Sequence, residues 1–581
     1  MQAHHSQRTR KIAKETRIRK KLNQNRAQKA KIAVKSDKFS VAAPISNFGD
    51  DVAVKIAENI NMDHFPKNCR RFIAIGLCSL VFACATPPEP VVEITDAWNE
   101  AADVIESGYQ GISEKYIDPL VVGDIALDGI HGFASIDPAL GANRKASSVE
   151  LTYAGKLIFT APAPANGNIQ QWAALTVDMA KKARGYSADM RNADSEKLYE
   201  AVFDGVLSHL DLFSRYAGAE DARRNRARRD GFGGIGIRFK ITNKSVHVVS
   251  VTPRTPADNS GIRVDDVITH INDVPVDGLT PREVTSQVRG PTHTTVTLTV
   301  NRDGVTEPQK HKLNRVHIVP PTVTEKRLGD ILYYKVSSFN QDTSHSLSVK
   351  LEDAVEAMGD RLKGVVLDLR GNPGGLLKQS VKAADLFLTQ GNIISTKGRH
   401  ADSLHVYEAG GRDLTGGQPL LLLIDGKSAS AAEIVAAALQ DRERAVLVGT
   451  SSYGKGTVQT VLRLPNDGEI TLTWSRLIAP SGYTLHGLGV RPELCISPKK
   501  SNVSRLITSV LESKLSVKSI FEQWRTSGFP DSERRQILRE SCPSERRTTD
   551  IELEVARHLI EYPREFTDAL SLSAAPHQAH N

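Results

Sequence analysis

Ser430 and Lys455 are the residues of this 581-residue chain whose types and surroundings could do covalent chemistry. The apolar run Leu420 to Ile424 reads as a buried strand, and Asp425-Gly426-Lys427-Ser428-Ala429-Ser430-Ala431-Ala432-Glu433-Ile434 follows it. Ser430 therefore falls at a strand-to-helix junction. Its bland reading is a helix cap, because Ser430 and Glu433 make the S-x-x-E of a capping box. Its chemical reading is a nucleophile whose oxyanion would face the amide N–H groups of a helix terminus. On these two residues alone the cap is the more economical explanation.

Two further segments reverse that balance. Asp368-Leu369-Arg370-Gly371-Asn372-Pro373-Gly374-Gly375 leaves a second buried strand in a glycine-rich turn, where exposed amides could donate to an oxyanion. Beyond Ser430, Lys455 sits between Gly454 and Gly456 at the entrance of the apolar strand Thr457-Val458-Gln459-Thr460-Val461. A solvated lysine has a pKa of ~10.4 and is useless as a base at neutral pH. Burial away from carboxylates penalises the ammonium and lowers that value. A neutral Lys455 could then take the Ser430 proton and later deliver it to a leaving amine. If the strand extends back to Lys455, then Lys455, Thr457 and Gln459 share one face. The bland alternative for Lys455 is a solvated loop lysine. Asp441 and Arg442, after the serine helix, read as structural.

Positioning such groups takes a framework, and residues 318–500 supply one by alternating strands and helices. Strands are expected at Ile331 to Val336, Gly364 to Leu369, Pro419 to Ile424 and Ala445 to Val448. Helices are expected at Ser346 to Met358, Leu377 to Leu386 and Ala431 to Leu439, so the core is α/β. Residues 229–317 form a smaller β module, with strands at Ile235 to Ile241, Val246 to Val251, Val267 to Ile271 and Thr295 to Val300 and a short helix at Pro281 to Val288. Residues 85–228 read as mainly helical, with Ala97 to Ile112 and Trp172 to Lys182 periodic. Leu127-Asp128-Gly129-Ile130-His131-Gly132-Phe133 is echoed by Phe203-Asp204-Gly205-Val206-Leu207-Ser208-His209, a helical unit used twice. Between the copies, Val149 to Thr160 is expected to form a strand or two. Residues 221–230 read as a charged, solvated connector, and 501–581 as a charged helical extension and tail.

Two nucleotide-like motifs are decoys. Gly231-Phe232-Gly233-Gly234-Ile235-Gly236 fits G-x-G-x-x-G, but an alternating strand follows where a helix N-terminus should meet the pyrophosphate. Gly449 to Gly456 contains G-x-x-x-x-G-K, yet Gly456 replaces the Ser/Thr that would hold Mg²⁺, and a strand follows again.

Taken together, Leu210-Asp211-Leu212-Phe213-Ser214-Arg215-Tyr216, Gly234-Ile235-Gly236-Ile237, Leu367 to Gly375, Ser428 to Glu433, Gly454 to Gln459 and Ala479-Pro480-Ser481-Gly482 resemble the carboxyl-terminal processing proteases, serine endopeptidases that use a Ser-Lys dyad. The resemblance spans about 210–495, roughly half the chain. It implies a multidomain α+β protein: a helical N-terminal module, a PDZ domain at 229–317 and a protease core at 318–500. It makes Ser430 the nucleophile, Lys455 the general base and Gln459 the residue that orients the lysine. Gly375 and Ala431 would supply the oxyanion-hole amides. Gly234, Ile235 and Gly236 would present backbone N–H groups to a substrate C-terminus, with the following strand adding the peptide as a new edge. The bland reading of that loop is a strand-entry bend. No cofactor or metal is implied. Leu212 stands where the family usually has proline, and the duplicated helical segment and residues 1–61 have no expected counterpart. The alternative function is a catalytically inactive PDZ adaptor that retains the protease fold.

Composition sets the outer limits. Apolar residues are 40% and charged residues 24%, with 42 Gly and 27 Pro, which excludes disordered, collagen-like and coiled-coil chains. No run approaches the ~20 apolar residues of a membrane-spanning helix. The net charge of +8 invites a nucleic-acid partner, but its distribution argues against one. Residues 1–61 hold 14 Lys/Arg against 5 Asp/Glu, residues 62–84 add +2, and the remaining body is −3. A nucleic-acid arm would need residues 1–61 to exist and would bind in a salt-sensitive way. No nucleic-acid partner is expected.

Met62 opens a basic stretch, Arg70-Arg71, then an apolar run from Phe72 to Ala83 and Cys84-Ala85-Thr86-Pro87-Pro88, the layout of a secretory signal. Leu80-Val81-Phe82-Ala83-Cys84 also resembles a bacterial lipobox, with Cys84 as the lipidated residue. The simplest account starts translation at Met62 and leaves residues 1–61 unmade. The expectation is a periplasmic protein anchored to a membrane by a lipid on Cys84, acting on proteins or peptides with apolar C-termini, with an adaptor lipoprotein as a candidate partner. Of the five cysteines, Cys495 and Cys542 remain downstream of Cys84, and their spacing leaves open whether they pair.

Overall fold

A computed structural model describes residues 94–496, 502–546 and 550–574. The basic tail, the expected signal at 62–84 and Cys84 lie outside the described residues.

The first long helix, Ile94–Lys115, buries Ala101, Val104, Ile105, Tyr109 and Ile112, a stripe at helical spacing. It packs with helices Val122–His131, Ile169–Tyr186 and Ser195–Leu207 around Trp172, Phe133, Phe203 and Met179. The repeated Asp-Gly units lie where two of these helices cross. A Cβ on Gly205 would fall 2.4 Å from Asp128 O, and one on Gly132 would fall 1.9 Å from Ala201 O. Glycine in both copies is what allows that close approach. The strand expected between them is a three-stranded meander of Leu140–Arg144, Ser148–Tyr153 and Lys156–Pro162. This helical core also takes in Leu464, Ile470 and Leu472, which belong to the sequence of the protease core.

The β module has a sheet ordered Gln309–Asn314, Thr295–Asn301, Val267–Ile271, Ser245–Val251, Ile237–Thr242, so Ile237–Thr242 is an edge strand. Helix Pro281–Val288 starts with Thr280 and Glu283 in a reciprocal capping box. A two-stranded ribbon, Phe232–Gly234 with Val316–Ile318, ties the two ends of the module together.

Residues 323–496 build a six-stranded sheet in the order Val323–Leu328, Ile331–Val336, Gly364–Asp368, Leu420–Ile424, Val446–Gly449, Leu494–Cys495. All neighbours are parallel except the first pair. Its central strands are buried on both faces, which is why they read as continuous apolar runs. Val365, Leu367, Leu422 and Leu447 face helices Thr343–Met358, Leu377–Asp385 and Ala431–Asp441. Val366, Leu421, Leu423 and Val448 face helix Ile551–Glu561 of the C-terminal extension, through Val555, Ala556, Leu559 and Ile560. The extension is therefore half of the core's covering. A second, antiparallel sheet runs His405–Ala409, Gly391–Gly398, Glu469–Ile478, Thr457–Arg463, and Arg215–Ala217 pairs with Glu469–Ile478.

One reading changes, and one open alternative is resolved. Residues 219–229 are a helix, not a solvated connector: Arg226 and Arg229 donate to the buried carboxylate of Glu469 at 3.0 Å each. Cys495 and Cys542 form a disulfide, with Cα atoms 5.9 Å apart and a sequence separation of 47. Closing a loop of that length restricts the unfolded chain by ~4 kcal/mol in the chain-entropy account.

Candidate active site

Three adjacent parallel strands end at one edge of the main sheet, and the loop leaving each carries part of the site. Gly364–Asp368 runs into the glycine turn, Leu420–Ile424 into the serine loop and Val446–Gly449 into the lysine loop. Crevices at the carboxyl ends of parallel strands are where α/β sheets place their ligands.

The loops hold one another through backbone groups. Asp425 Oδ1 accepts from the N–H of Gly371 (2.8 Å), Lys427 (3.0 Å) and Ser428 (3.1 Å), linking the serine loop to the glycine turn. Ala429 N–H donates to Asn372 O at 2.9 Å, and Asn372 anchors itself by donating to Val336 O at 2.9 Å. Tyr453 N–H donates to Ser428 O at 2.9 Å, which joins the lysine loop to the same frame.

Ser430 is half-buried at the N-terminus of helix Ala431–Asp441, with φ +54°. A non-glycine residue in that region costs about 1–3 kcal/mol, and its surroundings must enforce it. Glu433 does much of the enforcing. Its buried carboxylate accepts from Ser430 N–H (2.7 Å), Gly454 N–H (2.7 Å), Lys455 N–H (2.9 Å) and the Ser452 hydroxyl. Glu433 is thus more than a helix cap, since it ties the serine and lysine backbones to one pair of oxygens. Burial pushes its carboxyl above the usual range, against the pull of those donors.

Gly374 and Gly375 close the third side. Both have positive φ, 101° and 146°. A Cβ on Gly374 would lie 2.9 Å from Ser430 Cβ and 3.0 Å from Ala431 N, so the turn is in contact with the serine. A Cβ on Gly375 would lie 2.1 Å from Phe339 O, in the strand-like contact that fixes the turn. Among the described residues, neither the Gly375 N–H nor the Ala431 N–H has a hydrogen-bond acceptor. Two unengaged amide donors beside a strained, accessible serine make an oxyanion site chemically feasible.

Lys455 lies in the loop before strand Thr457–Arg463, so the strand does not reach back to it. Its side chain is half-buried, and Nζ sits 5.0 Å from the centroid of the Phe213 ring. Among the described residues, Nζ makes no ion pair or hydrogen bond, to Ser430 or to any other group. Desolvation, then the nearby Arg215, hold its amine below the ordinary lysine range, while Glu433 and Asp211 oppose them. Phe213 is delivered by a tight turn in which Asp211 accepts from the N–H of Phe213 (2.6 Å) and Ser214 (2.8 Å). Gln459 Nε2 donates to Thr457 Oγ1 (2.9 Å) and Thr473 Oγ1 (3.3 Å), which shows Thr457 and Gln459 on one face but joins neither to the lysine amine.

In the β module, Gly236 has φ +88°, and a Cβ there would meet Thr255 Oγ1 at 2.1 Å. Ile235 is buried, and Gly234 pairs with Val316 in the ribbon. The loop opens onto the free edge of Ile237–Thr242.

Phe213 and the gathering role of Glu433 are the site features that residue types alone did not single out. The S-x-x-E spacing did point to Glu433, but a local cap accounted for it.

The model of peptidase family S41 matches residues 330–496, and that of the PDZ domain matches residues 233–313. A carboxy-terminal-processing protease of Bartonella bacilliformis is 41% identical over 305 residues, covering 52% of this chain and 70% of that protein. A probable CtpA-like serine protease of Staphylococcus aureus is 34% identical over 320 residues, covering 53% of this chain and 62% of that one. Among solved structures, the photosystem II D1 C-terminal processing protease is 21% identical over 69% of this chain and 93% of its own, with a TM-score of 0.34 that is too low to inform the site.

Proposed function

The chain belongs to peptidase family S41 as a serine-type carboxy-terminal-processing protease with a PDZ domain, and on that premise we propose that Ser430 and Lys455 are its catalytic dyad. The observation that carries this reading is the shared Glu433 carboxylate, which ties the backbone of both residues into one hydrogen-bonded unit beside two unengaged amide donors.

Neutral Lys455 takes the Ser430 proton as the hydroxyl attacks the scissile carbonyl. The developing oxyanion is received by the Gly375 and Ala431 amides. Lys455 then protonates the leaving amine, and water repeats the sequence on the acyl-enzyme. In the described conformation the amine rests on Phe213, so attack requires a rotation of the long, unbranched lysine side chain towards Ser430. Gln459 acts indirectly, holding Thr457 at the start of the strand that follows the lysine. A noncatalytic adaptor has no need for a depressed lysine or for free amides at a strained serine.

The PDZ domain selects substrates by their ends. The Gly234-Ile235-Gly236 loop receives the terminal carboxylate, and Ile237–Thr242 pairs with the preceding residues as an added strand. Amidating the C-terminus of an apolar peptide substrate is expected to raise KM at least tenfold, about 1.4 kcal/mol, with kcat little changed. Steady-state kinetics on the acid and amide pair check this, and equal KM values would reject capture of the terminus.

The proposed location is the bacterial cell envelope, on the periplasmic side, held by a lipid on Cys84, with an adaptor lipoprotein as a candidate partner. Its support is the lipobox-like Leu80 to Cys84 and the Cys495–Cys542 disulfide, which calls for an oxidising compartment. Intact mass of the membrane fraction is expected to show a diacylated N-terminus at Cys84, and a cytoplasmic chain retaining Met1 overturns it.

A further inference from the structure

The S41 match ends at residue 496, yet the loops that carry the serine and the lysine are completed by residues beyond it. In the serine loop, Gly426 N–H donates to Glu545 O at 2.7 Å. In the lysine loop, the Thr450 hydroxyl donates to the same carbonyl at 3.0 Å, and the Ser544 hydroxyl donates to Ser452 O at 3.2 Å.

Arg539, in helix Ser532–Glu540, reaches further in. Its guanidinium donates to Leu488 O (2.5 Å), Ser452 O (3.1 Å) and Tyr453 O (3.4 Å). One turn earlier on the same face, Arg535 donates to Thr484 O and His486 O at 2.6 Å each. The two segments so held also pair with each other, because Gly487 N–H donates to Gly454 O at 2.9 Å. The helix end is tethered to the main sheet by Cys542, bonded to Cys495.

Lys455 is flanked by Gly454 and Gly456, so its own backbone is soft on both sides. Something outside the loop must fix it. Glu433 takes the amides of Gly454 and Lys455, and Arg539 takes the carbonyls of the two residues just before them. The two charged groups are separated by little more than Gly489: a Cβ there would lie 3.0 Å from Arg539 Nη1 and 3.2 Å from Glu433 Oε1. Among the described residues, Arg539 has no salt bridge of its own, and burial holds its guanidinium below the ordinary arginine range while Glu433 opposes that shift. A half-buried arginine spending its donors on three loop carbonyls is suited to holding a shape, since its planar fork loses little freedom per bond.

We propose that Arg539 is a positioning residue for the general base, holding the 452–455 and 484–489 segments so that Lys455 stays desolvated on a backbone fixed beside the serine loop. The C-terminal extension is then a working part of the active site. This rests on the Ser430–Lys455 reading. The charged groups around Lys455 are Arg215 and Asp211 from the N-terminal turn and Glu433 from the serine helix, with His486 reached through Phe213. Changing Arg539 leaves these residues in place, and of them Glu433 is the one that feels the Arg539 guanidinium, a charge that Arg539→Lys retains.

The test is Arg539→Met and Arg539→Lys in the full chain, with pH profiles of kcat and hydrogen exchange across 452–456. Arg539→Met is expected to lower kcat on the order of 30- to 100-fold, the scale of a base displaced by about 1 Å, with KM changed less than threefold. Water reaching a loosened Lys455 raises its pKa, so the rising limb of kcat moves to higher pH and exchange across the loop accelerates. Arg539→Lys keeps the charge and part of the bonding, so it is expected to fall between the two and covers the case in which Arg539→Met folds poorly. An unchanged kcat and limb overturn the proposal, as does a loss that is uniform across pH. Lys455→Ala assayed alongside separates the two claims. Activity surviving there rejects the base itself, whereas an inactive Lys455→Ala with an unshifted Arg539→Met rejects only the positioning role.

Discussion

Ser430→Ala is expected to leave a folded protein that no longer cleaves peptide bonds, a loss on the order of 10⁴-fold or more. The argument starts from the backbone. Ser430 is held at φ +54° by its N–H bond to Glu433, and that bond involves no side-chain atom of the serine. Alanine can therefore take the same place without disturbing the glycine turn or the lysine loop. What disappears is the only atom that can form the acyl bond. Because the PDZ domain is untouched, the variant should bind an apolar C-terminal peptide as the unaltered protein does. Unchanged thermal unfolding and peptide affinity, with cleavage lost, are the expected set of results. Substantial cleavage in the variant would place the chemistry elsewhere.

Lys455→Ala is expected to cost on the order of 10³-fold or more in kcat, and the pH profile should show why. The neutral amine is the active form, so the rate rises as pH passes through the lysine pKa. Burial and Arg215 lower that pKa, so the limb should lie below the ~10.4 of a solvated lysine. Removing the amine removes the limb. Lys455→Arg should be equally inactive, because a guanidinium keeps its proton throughout the accessible range. Histidine chemistry would look different. His486 is near Phe213, and burial holds it below the usual histidine range, so a histidine base would give a limb at or below about 6.5 that survives in Lys455→Ala.

Much of this was legible in the chain because the main sheet is buried on both faces. Val365 to Leu367 and Leu420 to Ile424 are continuous apolar runs, and such runs ending in glycine or serine turns show both the strand and the loop that follows it. The antiparallel sheet was harder to read. Gly391–Gly398 and His405–Ala409 are short, partly polar and half-covered, so their pairing with each other, and that of Gly391–Gly398 with Glu469–Ile478, comes from tertiary contact and not from pattern. Arginine was the main source of error. Residues 221–230 look like solvated charge, yet Arg226 and Arg229 are spent on a buried carboxylate, and in the charged helical extension Arg535 and Arg539 are spent on backbone carbonyls. Composition cannot distinguish a solvated arginine from one whose partner lies hundreds of residues away. Glu433 was hidden for the opposite reason, because a local cap already explained it. The Cys495–Cys542 pair was undecidable from spacing, since it depends on how the extension folds back over the sheet.

The pH dependence of kcat/KM for an unfolded substrate with a free apolar C-terminus, with Lys455→Ala measured beside the unaltered chain, tests the central claim most directly. A neutral Lys455 activating Ser430 predicts one rising limb, below the solvated-lysine value, and a Lys455→Ala profile at background across the whole range. A limb that persists in Lys455→Ala contradicts it.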